Sequence, residues 1–586
     1  MASAAANVGP IESNGAKKRA FEGARNYRFK KQKKEPKVPS FRIEGTNEEV
    51  LLEDVRALLQ KQKLDDPQEH EDSKKNLDSL PKPFTEIELT VNEISSTGDG
   101  LAYEPESKQV YVVPYTAPGD KVTAKVIRHF TKDSYSMADF VKVISPSPIR
   151  DDSLVNCKYF ASCSGCQFQM LPYEHQLKHK RSIVEKAFRN FSNLAPEHVP
   201  TIGDTIGSPL QYGYRTKLTP HFDGPPGMKR SDKRNGIKRH FTEVPNIGFM
   251  KKGTRNTIDI EDCPIGTDAV RMGMKRERKR VADELEKYSK GVTILLREST
   301  ERVSKADVGS NGTPVPTDGK EVEIEDAMLE DRGTHIHKKT CVTNPNGKTT
   351  EYVDDFVFEN PAGAFFQNNN SILPPFTDYI RQHILPPDHD PAGPKITNLI
   401  DAYSGSGLFT ITLSQMFRHS LGIDISATSI ESANANARRN NLRPDQASFI
   451  AADAANLFAS ITFDADETAV VIDPPRKGCD EPFLRQLLRY SPERVVYVSC
   501  NVHTQARDVG VLVDGLPGVD GGRGPGVGVY EIESLRGFDF FPNTGHVEGV
   551  AVLRKKKAPV PDEGLAAKEE VKVAGEAQAE TKMDDA

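Results

Sequence analysis

The period of the apolar positions changes several times along the chain. Residues 1–41 show no apolar periodicity and are expected to form a disordered arm. Behind Thr46 and Glu49, which have capping-box spacing, Leu51, Leu52, Val55, Leu58 and Leu59 recur on one helical face. This predicts a short amphipathic helix with a docking face, followed by a charged linker over 63–80. From Phe84 to about Ile144 the period falls to two. Ile87, Leu89 and Val91 alternate with polar residues, Val110–Val113 reads as a strand, and Ala117-Pro118-Gly119-Asp120 is a turn ahead of Val122–Val126. Several short strands in so little chain predict a small β-barrel over 84–147.

Residues 148–350 read as an α+β middle domain with two insertions. One is basic (Lys229, Arg230, Lys233, Arg234, Lys238, Arg239). The other, from about Ser304 to Lys348, is polar and is expected to be a surface excursion. In the third region, 351–556, apolar strand runs at 396–400, 421–425, 448–452, 469–472 and 494–498 alternate with helical stretches such as Ser429–Arg439 and Pro482–Arg489. That alternation predicts a doubly wound α/β sheet. Gly515–Gly528 interrupts it and reads as a flexible insertion without chemistry. An acidic tail, 557–586, is expected to be disordered.

At 586 residues, 37% hydrophobic and 28% charged, the composition is that of a soluble globular protein with some disordered sequence. No apolar run is long enough to cross a bilayer, so no membrane partner is expected. The net charge of −6 says little about nucleic acid, because the charges are segregated: ten Lys or Arg lie between Lys17 and Lys37, against Glu22 and Glu35. The basic arm suits nuclear import or attraction of RNA; a merely solvated tail reads as well. The nucleus and/or the cytoplasm is the expected compartment. A mitochondrial address stays open, although the alanine-rich start is broken by Glu12. A monomer is expected.

The first strand of the α/β region runs into Asp401-Ala-Tyr403-Ser-Gly405-Ser-Gly407. A Gly-x-Gly here lets backbone pass close to a ligand at the carboxyl end of the sheet, and position 410, where a dinucleotide fingerprint has its third glycine, is Thr. Later strands end at Asp424, Asp453 and Asp473. Any one of these acids could be a helix cap. Together they suit a ligand with a ribose, an adenine and a cationic sulfonium, and so S-adenosylmethionine better than NAD. The fifth strand ends at Cys500. A lone cysteine is more often a small buried hydrophobe, but this one opens into the same crevice. A thiolate adding to C6 of uracil makes C5 nucleophilic enough to take a methyl group, after which a base must remove the C5 proton. His546 and Glu548, two apart at the start of the last strand, both qualify by position.

Asp401–Gly407, Asp473-Pro-Pro-Arg-Lys-Gly478, Ser499-Cys500-Asn501 and Thr544-Gly-His-Val-Glu548, in that order, resemble the RNA uracil-5-methyltransferase family, and in particular its fungal tRNA branch. The resemblance covers about 84–555. It implies a class I, S-adenosylmethionine-dependent enzyme with Cys500 as nucleophile, Glu548 as proton acceptor, and Gln367, Tyr403, Asp424 and Asp473 at the cofactor. Cytosine-5 RNA methyltransferases carry a cysteine directly after the corresponding Pro-Pro element. Here that place is held by Arg476, and Cys479 reads as structural. The run Glu93–Ala102 with Pro118-Gly119-Asp120 resembles a TRAM domain, an RNA-binding barrel.

Of seven cysteines, Cys157, Cys163 and Cys166 have C-x5-C-x2-C spacing, and Cys263 stands before Pro264. Four such thiolates suit tetrahedral zinc or a 4Fe–4S cluster. The resemblance implies 4Fe–4S in a structural role. The C-x3-C-x2-C of radical enzymes is absent. The target base must leave its stack to react. Tyr212, Tyr214, Arg215 and Lys217 form an aromatic-basic stretch that could hold RNA, or could equally pack a sheet edge. The expected reaction is formation of 5-methyluridine in the T-loop of tRNA, at position 54. The alternatives are ribosomal RNA as target, or a non-catalytic RNA-binding or chaperone protein, which intact Cys500, Glu548 and Asp473 argue against.

Overall fold

A computed structural model describes residues 45–65, 80–227, 239–305, 327–385, 395–452, 457–458, 461–519 and 528–556. The basic arm, most of the linker, the basic insertion apart from Arg239, Asp453, the middle of the glycine-rich loop and the acidic tail lie outside the described residues. Among the described residues no helix is long and apolar enough to cross a membrane.

The amphipathic helix forms over Asn47–Asp65. Its capping box closes reciprocally: the Thr46 amide donates to Glu49 Oε2 at 3.1 Å and the Glu49 amide donates to Thr46 Oγ1 at 3.3 Å. Leu51, Val55 and Leu58 bury against Leu101, Val110, Val112 and Tyr135, so the docking face seats on the following β domain. That domain is a six-stranded sheet in the order Glu86–Thr90, Lys121–Phe130, Tyr135–Ser145, Gln109–Val113, Gly100–Glu104, Glu93–Ile94. Leu89, Val91, Ala102, Tyr111, Val113 and Val122 form its core, as period-two alternation requires.

Five parallel strands, Ala447–Ala451, His419–Asp424, Asn398–Ala402, Thr468–Ile472 and Arg494–Ser499, make the heart of an eight-stranded sheet. Glu548–Lys555 adds antiparallel to Arg494–Ser499, then Tyr530–Phe538 and Gly203–Ile206 complete the edge. Strand order reverses beside Asn398–Ala402, which opens a crevice at the carboxyl ends of the parallel strands.

Two sequence expectations change. Residues 173–206 do not belong to a separate middle domain: Ile183, Val184, Phe188 and Phe191 of helix Tyr173–Phe191 enter the same core as Val495, Tyr497 and Val509, and Gly203–Ile206 joins the large sheet. The polar stretch after Ser304 is not only a surface excursion either. Its described part holds strands Ala327–Asp331 and His335–Val342, the latter paired along Leu296–Ser304. His335–Val342 is half-buried along most of its length, so its stability comes from the ladder and no apolar alternation announces it.

Candidate active site

The turn after Asn398–Ala402 is built from left-handed backbone: Tyr403 at φ 65°, Gly405 at φ 54° and Gly407 at φ 92°. A bulky residue in that region is strained, a condition common where a loop is shaped for a ligand. Gly405 has open space where a side chain would stand, and its amide donates to Asp424 Oδ2 at 3.0 Å. The other oxygen of Asp424 accepts from the Ser426 amide at 2.8 Å. Gly407 is filled from the other side, since a Cβ there would meet the Phe449 ring at 3.0 Å. Gly407→Ala combines that contact with left-handed backbone and is expected to cost about 1–2 kcal/mol. The midpoint of thermal unfolding should fall by roughly 2–8 °C; an unchanged midpoint would show that the turn relaxes freely.

One cavity of about 940 Å³ runs along the carboxyl ends of the strands. Gln367, Tyr403, Asp424, Asp473, Cys500 and Glu548 all line it, so every proposed cofactor and catalytic residue is brought to one cavity. That volume lies at the upper end of the range of small-molecule sites, roughly 300–1,000 Å³. Gly405 leaves open backbone at the cavity, and the half-buried Asp424 carboxylate and the Tyr403 ring line it beside that turn.

Antiparallel pairing brings Cys500 and Glu548, the expected nucleophile and proton acceptor, together. Ser499 lies opposite Gly549, so Cys500 at the end of one strand flanks Glu548 at the start of its neighbour. Glu548 is buried at 6% exposure, whereas His546 lies in the loop before the strand and is exposed. Burial pushes the Glu548 carboxyl up to about 7, against the opposing pull of Arg476 and Lys180. The Cys500 thiol is pushed up to about 12, first by loss of water and then by the carboxylates of Glu548 and Asp473. Arg476 opposes this, lying within hydrogen-bonding reach of the thiol. Asp473, half-buried at the wall, is held well above the usual carboxylate range by lost solvation and by Glu548 and Asp401.

Three functional features escape sequence reasoning. Arg476 stands in the Asp-Pro-Pro-Arg motif, where it reads only as a non-cysteine; its place beside Cys500 gives it a role. Phe365 lines the cavity with 76% of its surface exposed, an aromatic face that no periodicity signals. Lys180, buried on helix Tyr173–Phe191, carries no sequence signal at all. Within the aromatic-basic stretch Tyr214 and Arg215 both line the cavity, Tyr214 buried at 2% exposure and Arg215 with its guanidinium 5.4 Å from the Phe541 ring centroid.

Cys157, Cys163, Cys166 and Cys263 are all half-buried on the wall of the same cavity. Among the described residues, however, no three His, Cys, Asp or Glu side chains are gathered closely enough to hold a metal ion. The expected formed four-cysteine site is therefore not present in this arrangement; what the fold supplies is four thiols facing one space. Gln169 stands there too, at 2% exposure, within hydrogen-bonding reach of the Cys166 thiol and with no other partner for its amide. Donor type, number and this orphaned amide fit a metal–sulfur group; the spacing of the thiols does not yet.

A parallel sheet reversing beside its first strand, with a glycine turn and carboxylates at the strand ends, defines a class I, S-adenosylmethionine-dependent methyltransferase. Comparison with known proteins narrows this. A family model described as tRNA (Uracil-5-)-methyltransferase matches residues 349–556, and one for the TRAM domain matches 82–140, close to the barrel expected at 84–147. A tRNA (uracil(54)-C(5))-methyltransferase of Schizosaccharomyces pombe is 42% identical over 513 residues, covering 87% of this chain and 84% of that protein. One of Saccharomyces cerevisiae is 40% identical over 490 residues, covering 80% and 73%. The solved Pyrococcus abyssi tRNA (uracil-54, C5)-methyltransferase, in complex with S-adenosyl-L-homocysteine, shares the fold with a TM-score of 0.52 at 22% identity, over 80% of this chain and 100% of that one. The chain belongs to the tRNA (uracil-5-)-methyltransferase family.

Proposed function

We propose that this chain methylates C5 of uridine 54 in the T-loop of tRNA. The observation that carries the chemistry is the Ser499–Gly549 pairing, which sets Cys500 beside Glu548 on the cofactor wall. The position of the target rests on the names of the two fungal relatives. When bound, S-adenosylmethionine supplies an electrophilic methyl group, and Gln367, Tyr403, Asp424 and Asp473 are the residues assigned to hold it. The target uracil leaves its stack and enters the cavity, with Phe365 at the wall as a stacking face and Arg215 available to a phosphate. Cys500 attacks C6 as the thiolate, aided by Arg476. C5 then takes the methyl, and Glu548 accepts the C5 proton as the thiolate departs.

Cys157, Cys163, Cys166 and Cys263 are the residues that would hold a 4Fe–4S cluster, with zinc the alternative for the same thiols. The group would tie the 157–166 segment to Cys263 at the wall of the same cavity, and methyl transfer asks no electron of it.

Unmodified tRNA incubated with the protein and S-adenosylmethionine is expected to yield 5-methyluridine by nucleoside mass spectrometry, and tRNA with cytidine at position 54 to yield none. Methylation of ribosomal RNA alone would move the target and keep the chemistry; silence on both would leave an RNA-binding protein.

A further inference from the structure

Lysine is rarely buried completely, yet Lys180 has no exposed surface. Its ammonium donates to Asp539 Oδ1 at 2.5 Å, to the Phe541 carbonyl at 3.0 Å and to the His546 carbonyl at 2.7 Å. All three hydrogens are thereby used, and the acceptors span both ends of the loop that leads into Glu548. Two further residues on the same face of helix Tyr173–Phe191 hold the same loop. The Tyr173 hydroxyl donates to Asp539 Oδ2 at 2.9 Å. Gln176 accepts from the Asn543 amide at 2.9 Å and donates to Asn543 Oδ1 at 3.2 Å, fixing a residue at φ 66°.

A helix that needed only to pack would do so better with apolar residues, because a buried ion pair seldom adds net stability. Here the Lys180 ammonium is spent entirely on 539–546, while Tyr173 and Gln176 hold the same segment and also bond elsewhere, Tyr173 to the Ser208 amide and Gln176 to the Phe168 and Leu171 carbonyls. We propose that Lys180 is a positioning residue for proton abstraction: it locks the 541–546 loop so that the Glu548 carboxylate stays on the C5 proton of the methylated adduct. This rests on the assignment of Cys500 and Glu548 above. In the step it serves, a Glu548 oxygen takes the C5 proton, the C–H electron pair restores the C5–C6 double bond, and the C6–S pair leaves with Cys500 as thiolate. The charged groups facing Glu548 are Lys180 and Arg476, which favour its carboxylate, and Asp473 and Cys500 across the wall. Facing Lys180 are Asp539 and Glu548. Losing the ammonium therefore misplaces the base and also makes it harder to ionise.

The test uses the full chain with unmodified tRNA and S-adenosylmethionine, comparing parent, Glu548→Gln and Lys180→Met. Because Lys180→Met strands a buried Asp539, the neutral pair Lys180→Met/Asp539→Asn is measured beside it, and kinetics are read from whichever protein keeps the parental circular dichroism. Expected is a covalent protein–RNA species on denaturing gels, as with Glu548→Gln, with release slowed roughly 10²-fold and the acid limb of release moved to higher pH. A folded variant that releases RNA at the parental rate with an unmoved limb would overturn the proposal and leave the function intact. A parent that makes neither adduct nor 5-methyluridine would overturn both.

Discussion

The Cys500→Ala protein is expected to bind tRNA and S-adenosylmethionine normally and to form no 5-methyluridine, with a rate below about one part in 10⁴ of the parent. Uracil C5 is too poor a nucleophile to take a methyl group until a thiolate has added at C6, so without the sulfur the cofactor has nothing to react with. The loss should be chemical and not structural. Cys500 is half-buried on a cavity wall, and Ala removes one sulfur from a face that already borders open space, so little packing is lost. Two measurements on one preparation decide it: nucleoside mass spectrometry for product, and denaturing gels for covalently held RNA. Both should be blank while titration calorimetry with S-adenosylmethionine is unchanged. Methylation persisting at a tenth of the parental rate would end the assignment of Cys500 as nucleophile.

Glu548→Gln is expected to fail later and differently. Glutamine has the shape of glutamate but cannot accept the C5 proton, so methyl transfer should proceed once and the thiolate should be unable to leave. Turnover falls by about 10²–10⁴-fold, and the RNA is retained as a methylated covalent adduct. His546, the other residue that position alone would allow, is exposed and precedes the strand, whereas Glu548 is buried beside Cys500. His546→Ala should accordingly release product; an adduct trapped there and not in Glu548→Gln would exchange their roles. The pH dependence follows from the same surroundings. Burial lifts Glu548 to about 7, and only its deprotonated form is a base, so adduct release should weaken as pH falls through that value. Cys500, lifted to about 12, is thiolate for only a small fraction of the time near neutrality. Adduct formation should therefore quicken as pH rises, and the two effects together place the optimum on the alkaline side.

Much of this molecule is written in local sequence. The strands at 398–402, 419–424, 447–451, 468–472 and 494–499 lie within two residues of apolar runs that anyone can mark, because a parallel strand covered on both faces must be apolar throughout. Helix Asn47–Asp65 begins where Thr46 and Glu49 can cap each other, since capping is a contact between near neighbours. The residues of the site are likewise legible singly: a glycine turn after one strand, acids after others, a cysteine after the fifth.

Sequence could not decide relations between distant segments, and the site depends on several. That Cys500 meets Glu548 follows from antiparallel pairing across a whole strand, a register that no local pattern encodes. Membership of 173–206 in the catalytic sheet is likewise a matter of which core they enter. The four cysteines have a readable spacing, but spacing sets ligand type and not distance, and the fold leaves their thiols facing one cavity without a gathered site. Lys180 shows the limit most plainly. On its helix it is one lysine among several charged residues, and only burial against Asp539, Phe541 and His546 turns its charge toward the base. Residue type and local order determined which chemistry this chain is able to carry. Tertiary packing decided which groups touch and how strongly each is held in its charged form, because desolvation and pairing depend on neighbours hundreds of residues away.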